Sequence, residues 1–295
     1  MTVYHAGSRT LQDRLGVRDL ADHVGRSIGP GIKPVAAAFL ELQPLLIAGA
    51  ADPATGAVWA SPLTGPPGFV RATGPHAVSV AGGPGPDDPL ATALTTPGTP
   101  VGTLALDPRT RRRMRLNGVA RPSARGLAID ADRVFANCPK YLQKRESYEL
   151  LPDRTPGPAR HGTELTAAQQ AFVSRADTFF LASVYEGGAD ASHRGGNPGF
   201  VEVVSPRELA WRDYPGNSMF LSLGNLTADP RAGLLFLDWT DGTALQLTGE
   251  ARTDIAADGE RTVRFTPKEV IETPAAVPLR WSAPAYSPAN PAEAR

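Results

Sequence analysis

The chain has a single cysteine, Cys138, in 295 residues. That excludes an intrachain disulfide and any zinc or iron–sulfur site built on a cysteine cluster. Its five histidines (His5, His23, His76, His161 and His193) stand without HxH or HxxxH spacing, so a metal site local in sequence has no support. An excess of one charge is missing too: 30 Lys plus Arg balance 30 Asp plus Glu. No global basic field exists to collect nucleic acid or an anionic membrane. No apolar run approaches the roughly 18 residues of a membrane span, and the opening MTVYHAGSRTLQDR has no basic region followed by an apolar one. A soluble, cytoplasmic protein is expected, with neither nucleic acid nor membrane as partner.

Glycine and proline are plentiful, 30 and 29 residues, which punctuates the chain into short elements and argues against long helical bundles. The length allows one large domain or two modest ones. An internal repeat decides for two. Residues 59–70 (WASPLTGPPGFV) lie over 190–201 (DASHRGGNPGFV) with seven identities in twelve at an offset of 131. At the same offset and without a gap, 101–107 (VGTLALD) meets 232–238 (AGLLFLD), and 114–120 (MRLNGVA) meets 245–251 (LQLTGEA). Two equivalent halves follow, each too long for a solenoid unit.

Within each half the pattern is mainly β. The apolar runs 45–50, 101–106, 179–184 and 233–237 are short and bounded by Asp, Pro and Gly, as buried strands are. Stretches 114–120 and 245–251 alternate, as half-buried strands do. Helices are few and short: 35–42, 167–176 with Thr166 and Gln169 at capping-box spacing, and a helical turn over 219–226. Strands at this spacing predict a small closed or nearly closed barrel in each half. The expected organisation is an arm (1–30), a first barrel (31–150), a Pro/Gly-rich linker (151–162), a second barrel (163–273) and a poorly ordered proline-rich tail (274–295).

Five segments together resemble the pyridoxamine 5′-phosphate oxidase-like flavoproteins: 190–201, 213–226 with 229–231 (DPR), 247–251, 137–145 (NCPKYLQKR), and the opening YHAGSRTLQDRLG, similar to the arm of two-barrel members. The resemblance runs from the arm to about Ile271. It implies the FMN-binding split β-barrel, here as two tandem barrels forming a pseudo-dimer, and FMN as cofactor, with the deazaflavin F420 or haem as alternatives. Vitamin B6 oxidation does not follow, because the fold hosts many flavin reactions and some non-enzymes. An FMN-dependent oxidoreductase is expected, with a small-molecule substrate and an electron donor that the sequence does not identify. A flavin- or haem-binding protein without turnover and a barrel serving protein interaction remain open. No residue stands out as a required acid or base.

The resemblance makes residues 190–201 the flavin-contacting strand and 213–226 the phosphate-side turn. Ser192, His193 and Arg194 bring a hydroxyl, an imidazole and a guanidinium to one strand end. Gly195 and Gly196 follow, where a backbone can approach a ligand closely. Gly216 and Asn217 precede the helical turn, whose N-terminus offers donors to a phosphate. The family commonly has Asn-Thr where this chain has Leu221-Ser222, so the hydroxyl of Ser222 is kept and the amide lost. The first half is implied to supply Lys140 and Gln143, because the flavin of split barrels sits between two barrels. Read from residue type alone, Arg194 is equally a solvated strand-end arginine, Asn217 an N-cap and Lys140 a helix-start lysine. Asp213 would repel a phosphate and is read as orienting Arg194 or a turn amide.

The halves differ at the chemistry. Arg194 is matched by Leu63, and the 213–217 turn by Gly82-Gly83-Pro84-Gly85-Pro86. The first half has lost its phosphate site, and one flavin per chain is expected. Pairing of the barrels within the chain or by exchange in a homodimer is open. Cys138 reads as a small packing residue. Arg109, Arg111, Arg112, Arg113 and Arg115 read as a solvated strand edge that discourages edge pairing.

Overall fold

The structure is a computed structural model and describes residues 3–291. An arm of two helices, α1 (Ala6–Arg14) and α2 (Arg18–Gly25), leads to α3 (Pro34–Glu41). The first sheet follows: β1 (Leu45–Ala51), β2 (Val58–Thr64), β3 (Val70–Gly74), β4 (Ala77–Ala81), a short α4 (Ala91–Thr95), then β5 (Thr99–Asp107), β6 (Arg112–Ser123) and β7 (Gly126–Ala136). Two small strands, β8 (Lys144–Arg145) and β9 (Tyr148–Leu150), lie between the halves. The second half contains β10 (Arg160–Gly162), α5 (Ala167–Arg175), β11 (Thr178–Tyr185), β12 (Gly188–Gly195), β13 (Val201–Ser205) and β14 (Glu208–Arg212). It continues with α6 (Leu221–Ala228), β15 (Arg231–Leu237), β16 (Ala244–Ile255) and β17 (Arg261–Thr273), and β18 (Leu279–Trp281) and β19 (Pro284–Ala285) close the chain.

Both halves have one topology. The strand order is β2-β1-β5-β6-β7-β4-β3 in the first sheet and β12-β11-β15-β16-β17-β14-β13 in the second, all neighbours antiparallel. The ladder shifts register at Asn117/Gly118 in one and at Thr248/Gly249 in the other, positions 131 apart. The fold is a mainly β pair of split barrels with six helices among the described residues, as expected from the repeat. The capping box of Thr166 and Gln169 is formed at the start of α5.

The continuous apolar runs have a physical cause. In β1, Leu46, Ala48 and Ala50 point into the first barrel's core, while Leu45 and Ile47 point into a cluster shared with the second barrel. In β11, Phe179 and Leu181 fill the second core, and Phe180, Ala182 and Val184 join the shared cluster. A strand buried on both faces has no polar face to alternate with. The barrels meet across a pseudo-two-fold axis through glycines. A Cβ on Gly102 would lie 2.3 Å from the Cα of Asp190, and one on Gly233 would lie 2.7 Å from the Cα of Trp59. The two contacts are reciprocal at the repeat offset, so each glycine is needed for backbone to meet backbone. The barrels pair within one chain.

One expectation changes, and two segments gain detail. The tail is not loose over 274–291: β18 pairs with β9, β19 with β8, and Val277, Leu279 and Trp281 bury themselves in the shared cluster. These three alternate as a strand should, a signal that the surrounding prolines obscure; residues 292–295 of that tail lie outside the described residues. The linker is tied down as well. β10 pairs with β17, and the Arg154 guanidinium donates to the carbonyls of Val277 and Leu279, both at 3.0 Å. The arm forms helices that grip α6. Gln12 Nε2 donates to the Met219 carbonyl at 3.0 Å, His5 Nε2 lies 2.8 Å from Asn225 Oδ1, and a Cβ on Gly7 would meet the Gly224 carbonyl at 2.2 Å. Among the described residues no helix is long and apolar enough to cross a membrane.

A cationic cleft between the barrels as the candidate functional site

One side of the barrel seam opens into a cleft of about 110 Å³. The first barrel contributes β6, whose Arg113, Arg115 and Asn117 alternate along the strand and so share one face. The Arg115 Nη1 atom binds Asp190 Oδ2 at 2.8 Å, and Asn117 Nδ2 donates to Asp190 Oδ1 at 3.1 Å. Ser222 Oγ donates to the same carboxylate at 2.9 Å. Arg113 turns its Nη2 to the Cys138 carbonyl at 2.8 Å and its Nη1 to His193 Nδ1 at 2.7 Å. Across the cleft, Arg194 at the end of β12 pairs with Asp213, whose other oxygen takes Arg261 Nε at 3.0 Å. Asp213 therefore orients Arg194.

The helix α6 points its N-terminus into the cleft, with Leu221, Ser222 and Leu223 in the wall. The first amides of a helix have no intrahelical acceptor, and α6 has no side-chain cap. The approach to it is strained: Ser218 and Phe220 have φ of 58° and 51°. Tyr141, on the opposite wall, has φ of 64°. Left-handed non-glycine residues cost free energy and persist where surrounding structure over-determines them. Asn217 Oδ1 accepts from Met219 N at 3.2 Å, which helps fix that turn. Tyr141 donates its hydroxyl to the Pro215 carbonyl at 2.9 Å, and its ring meets that of Tyr214 at 5.0 Å.

Of the residues expected at the site, His193, Arg194, Gly195, Gly216, Asn217, Ser222 and Lys140 line the cleft. Three do not. Ser192 is fully buried with Oγ 3.4 Å from the Leu181 carbonyl. Gly196 packs under Phe200, where a Cβ would lie 2.6 Å from that residue's Cβ. Gln143 is buried and fully engaged elsewhere: Nε2 donates to the carbonyls of Tyr141 at 3.0 Å and Gly196 at 3.1 Å, and Oε1 accepts from Ser287 N at 2.8 Å. Its amide ties the tail to the seam. Gly195 also has a different reason from the expected one, since a Cβ there would lie 2.1 Å from the Tyr141 carbonyl; it admits the first barrel's chain.

Sequence reasoning missed Arg113 and Arg115. They are not a solvated edge; of the five arginines in that run only Arg112 is exposed. The alternation of 113, 115 and 117 was available as a signal, but the partner Asp190 lies 75 residues from Arg115 and on the other barrel. Cys138 lines the cleft and offers its carbonyl to Arg113.

The electrostatics follow from this crowding. Burial, then the nearby charges of Arg115 and Arg194, push the Arg113 guanidinium down to about 9. Burial also lowers Arg115, against the pull of Asp190. His193 is held well below the usual imidazole range by burial and then by Arg113, Arg194 and Arg115, so it is neutral. Asp190 and Asp213 are claimed by Arg115, Arg194 and Arg261, and no described carboxylate pairs with Arg113. Buried Nε2 of His193 and Nε of Arg115 and Arg194 lack hydrogen-bond partners among the described residues. Uncompensated buried cations are costly. Guanidiniums and a helix N-terminus facing one cleft can receive an anion of two charges.

At the pseudo-symmetric position the same seam is filled. Ser61 Oγ donates to Asp88 Oδ1 at 2.6 Å, and Gln246 Nε2 reaches Ser61 Oγ at 3.0 Å and Asp88 Oδ2 at 3.2 Å.

The protein is a pair of split barrels with a cationic cleft at their seam, lined from both barrels. Residues 165–275, which span the second barrel, match the family model described as pyridoxamine 5′-phosphate oxidase. Solved structures similar to the chain include a variant of HupZ from Group A Streptococcus (9% identity, 37% of this chain and 98% of that one, TM-score 0.30). A FAD-binding protein from Mesorhizobium loti matches at 12% identity over 40% of this chain and 99% of that one, with a TM-score of 0.29. A FAD-binding protein from Mycobacterium smegmatis matches at 13% identity over 39% and 98%, with a TM-score of 0.27. No curated protein matches the chain.

Proposed function

We propose that the chain binds FMN in the seam cleft and acts as an FMN-dependent oxidoreductase on a small molecule. The observation that carries this reading is Arg113, a desolvated cation with no carboxylate partner among the described residues, set beside Arg115 and Arg194. In this reading Arg194, Arg113 and the first amides of α6 hold the phosphate. Gly216, Asn217 and Ser222 shape the turn beneath it, and Lys140 closes the first-barrel side. Asp213 and Asp190 act as positioning residues that hold Arg194 and Arg115 in place. Neutral His193 keeps Arg113 pointed into the cleft. When bound, the isoalloxazine supplies hydride or electron transfer, and the protein supplies anchoring, orientation and exclusion of water. A free Cys138 and no disulfide agree with a cytoplasmic location.

A spectrum of the purified protein tests the reading. A yellow protein that releases FMN on denaturation and bleaches with a reduced nicotinamide supports the oxidoreductase. A yellow protein inert to reductants supports a binding protein without turnover. Release of haem or F420 replaces the cofactor, and a colourless protein that binds neither FMN nor riboflavin overturns the proposal.

A further inference from the structure

A second cavity, of about 1000 Å³, opens beside the cleft between α3 and the first sheet. One wall is an apolar stripe: Val35, Ala38, Phe39 and Leu42 stand at i, i+3, i+4 and i+7 and all line it. That spacing is one helical face. Val35 is 74% and Leu42 59% exposed at the two ends of the stripe, while Phe39 packs against the first core that Leu40 enters. Met114 and Val134 of the sheet form the other wall. At 1.5 Å per residue the stripe runs for about 10 Å.

The rim of this groove is basic. Arg26, Lys33, Arg111 and Arg112 line it. Arg111 donates to the carbonyls of Leu142 at 3.0 Å and Ala285 at 3.1 Å, neutral acceptors that leave its charge uncancelled. The carboxylate in the lining, Asp107, is occupied by Arg109 at 2.8 Å and Thr110 at 3.0 Å. An apolar trough under a positive rim is complementary to an anion with an apolar body. A second copy of the chain docked by a two-fold axis would bring this rim against itself, opposing like charges. The groove shares Arg113 and Asn137 with the cleft. The Asn137 Oδ1 atom at that junction is buried and has no hydrogen-bond partner among the described residues.

We infer that the groove binds an aliphatic organic anion with an apolar run of about 10 Å, its carboxylate or phosphate head held by the basic rim. Its place as the substrate of the adjoining cleft rests on the flavin reading above; its binding does not. Calorimetric titration of the full chain with dodecanoate, below the micelle concentration, tests it, with dodecyltrimethylammonium as the charge control. Dodecanoate is expected to bind at one site and the cationic amphiphile not to compete. Lys33→Glu with Arg112→Glu, and separately Val35→Asn with Leu42→Asn, change exposed residues and should each weaken dodecanoate binding about tenfold at unchanged melting temperature. Equal binding of the cationic amphiphile, or undiminished dodecanoate binding in both double variants, would overturn the inference. Dodecanoate binding without FMN binding retires the flavin reading and leaves the groove standing, and FMN binding without dodecanoate binding does the reverse.

Discussion

Two places on the barrel seam are related by the 131-residue repeat, and they have been built to opposite ends. In one, Asp190 receives Arg115, Asn117 and Ser222, and Arg113 and Arg194 remain directed at the open cleft. In the other, the counterparts of Arg113, Arg115, His193 and Arg194 are Ala244, Gln246, Pro62 and Leu63. There Asp88 enters from the segment before α4 and satisfies Ser61, Gln246 and the Leu90 amide by itself. Burial pushes the Asp88 carboxyl up, and no cation among the described residues joins it. An identical scaffold thus gives an open cleft where cations exceed available carboxylates, and a sealed polar core where a neutral amide and a hydroxyl meet one acid. Three lost guanidiniums and one lost imidazole, rather than a change of fold, separate the two.

The sharpest way to break the comparison is to remove the acid from each place. Asp190→Ala strands Arg115, whose side chain is 13% exposed, and a buried pair broken on one side costs about 3–5 kcal/mol. Asp88→Ala leaves only uncharged partners and should cost about 1–3 kcal/mol. Chemical denaturation of both variants checks the order. A smaller loss from Asp190→Ala than from Asp88→Ala would contradict the electrostatic asymmetry.

Next in size is Arg194→Ala. Loss of one charge-assisted contact to a phosphate should cost about 1.5–3 kcal/mol, one to two decades of FMN affinity, with riboflavin affinity changed far less. Titration of the flavin-free variant with both ligands measures it. Equal losses for the two would remove the phosphate from Arg194.

A smaller effect is pH-dependent. His193 is neutral in the folded chain and protonates more readily when unfolded, so the unfolded state binds the extra proton below about pH 6.5. Stability without flavin should then fall as pH drops below 6.5, by at most about 1.4 kcal/mol per pH unit from this group. The variant His193→Gln should flatten that slope in thermal melts at pH 5 to 7. The smallest expected effect is that of Cys138→Ala. The side chain makes no hydrogen bond in the cleft and only its carbonyl meets Arg113, so flavin affinity should move by less than about 1 kcal/mol. Complete loss of turnover with flavin retained would make the thiol a catalytic residue.

Much of the scaffold was legible before the structure. The repeat located both sheets, the apolar runs located their strands, and the contrast of Arg194 with Leu63 marked a seam position where the halves differ in charge. Asp213 was assignable to Arg194 because a carboxylate is a poor phosphate ligand. Arg113 and Arg115 were not legible as site residues, because alternation shows that they share a face but not what that face meets. Their partner Asp190 is brought to them by packing of Gly102 against Asp190 backbone, a contact no local pattern encodes. Gln143 failed for the converse reason: carbonyls from three segments and the tail close around its amide. The prolines of the tail hid the strand-like alternation of Val277, Leu279 and Trp281.

The central claim is that one flavin site per chain is assembled from both barrels. FMN titrated into flavin-free protein, followed by quenching of its fluorescence, should saturate at one equivalent per chain. Arg113→Ala in the first barrel and Arg194→Ala in the second should each weaken that binding by one to two decades, an effect of about 1.5–3 kcal/mol. Two equivalents per chain, or an Arg113→Ala variant that binds FMN as the parent does, would contradict it.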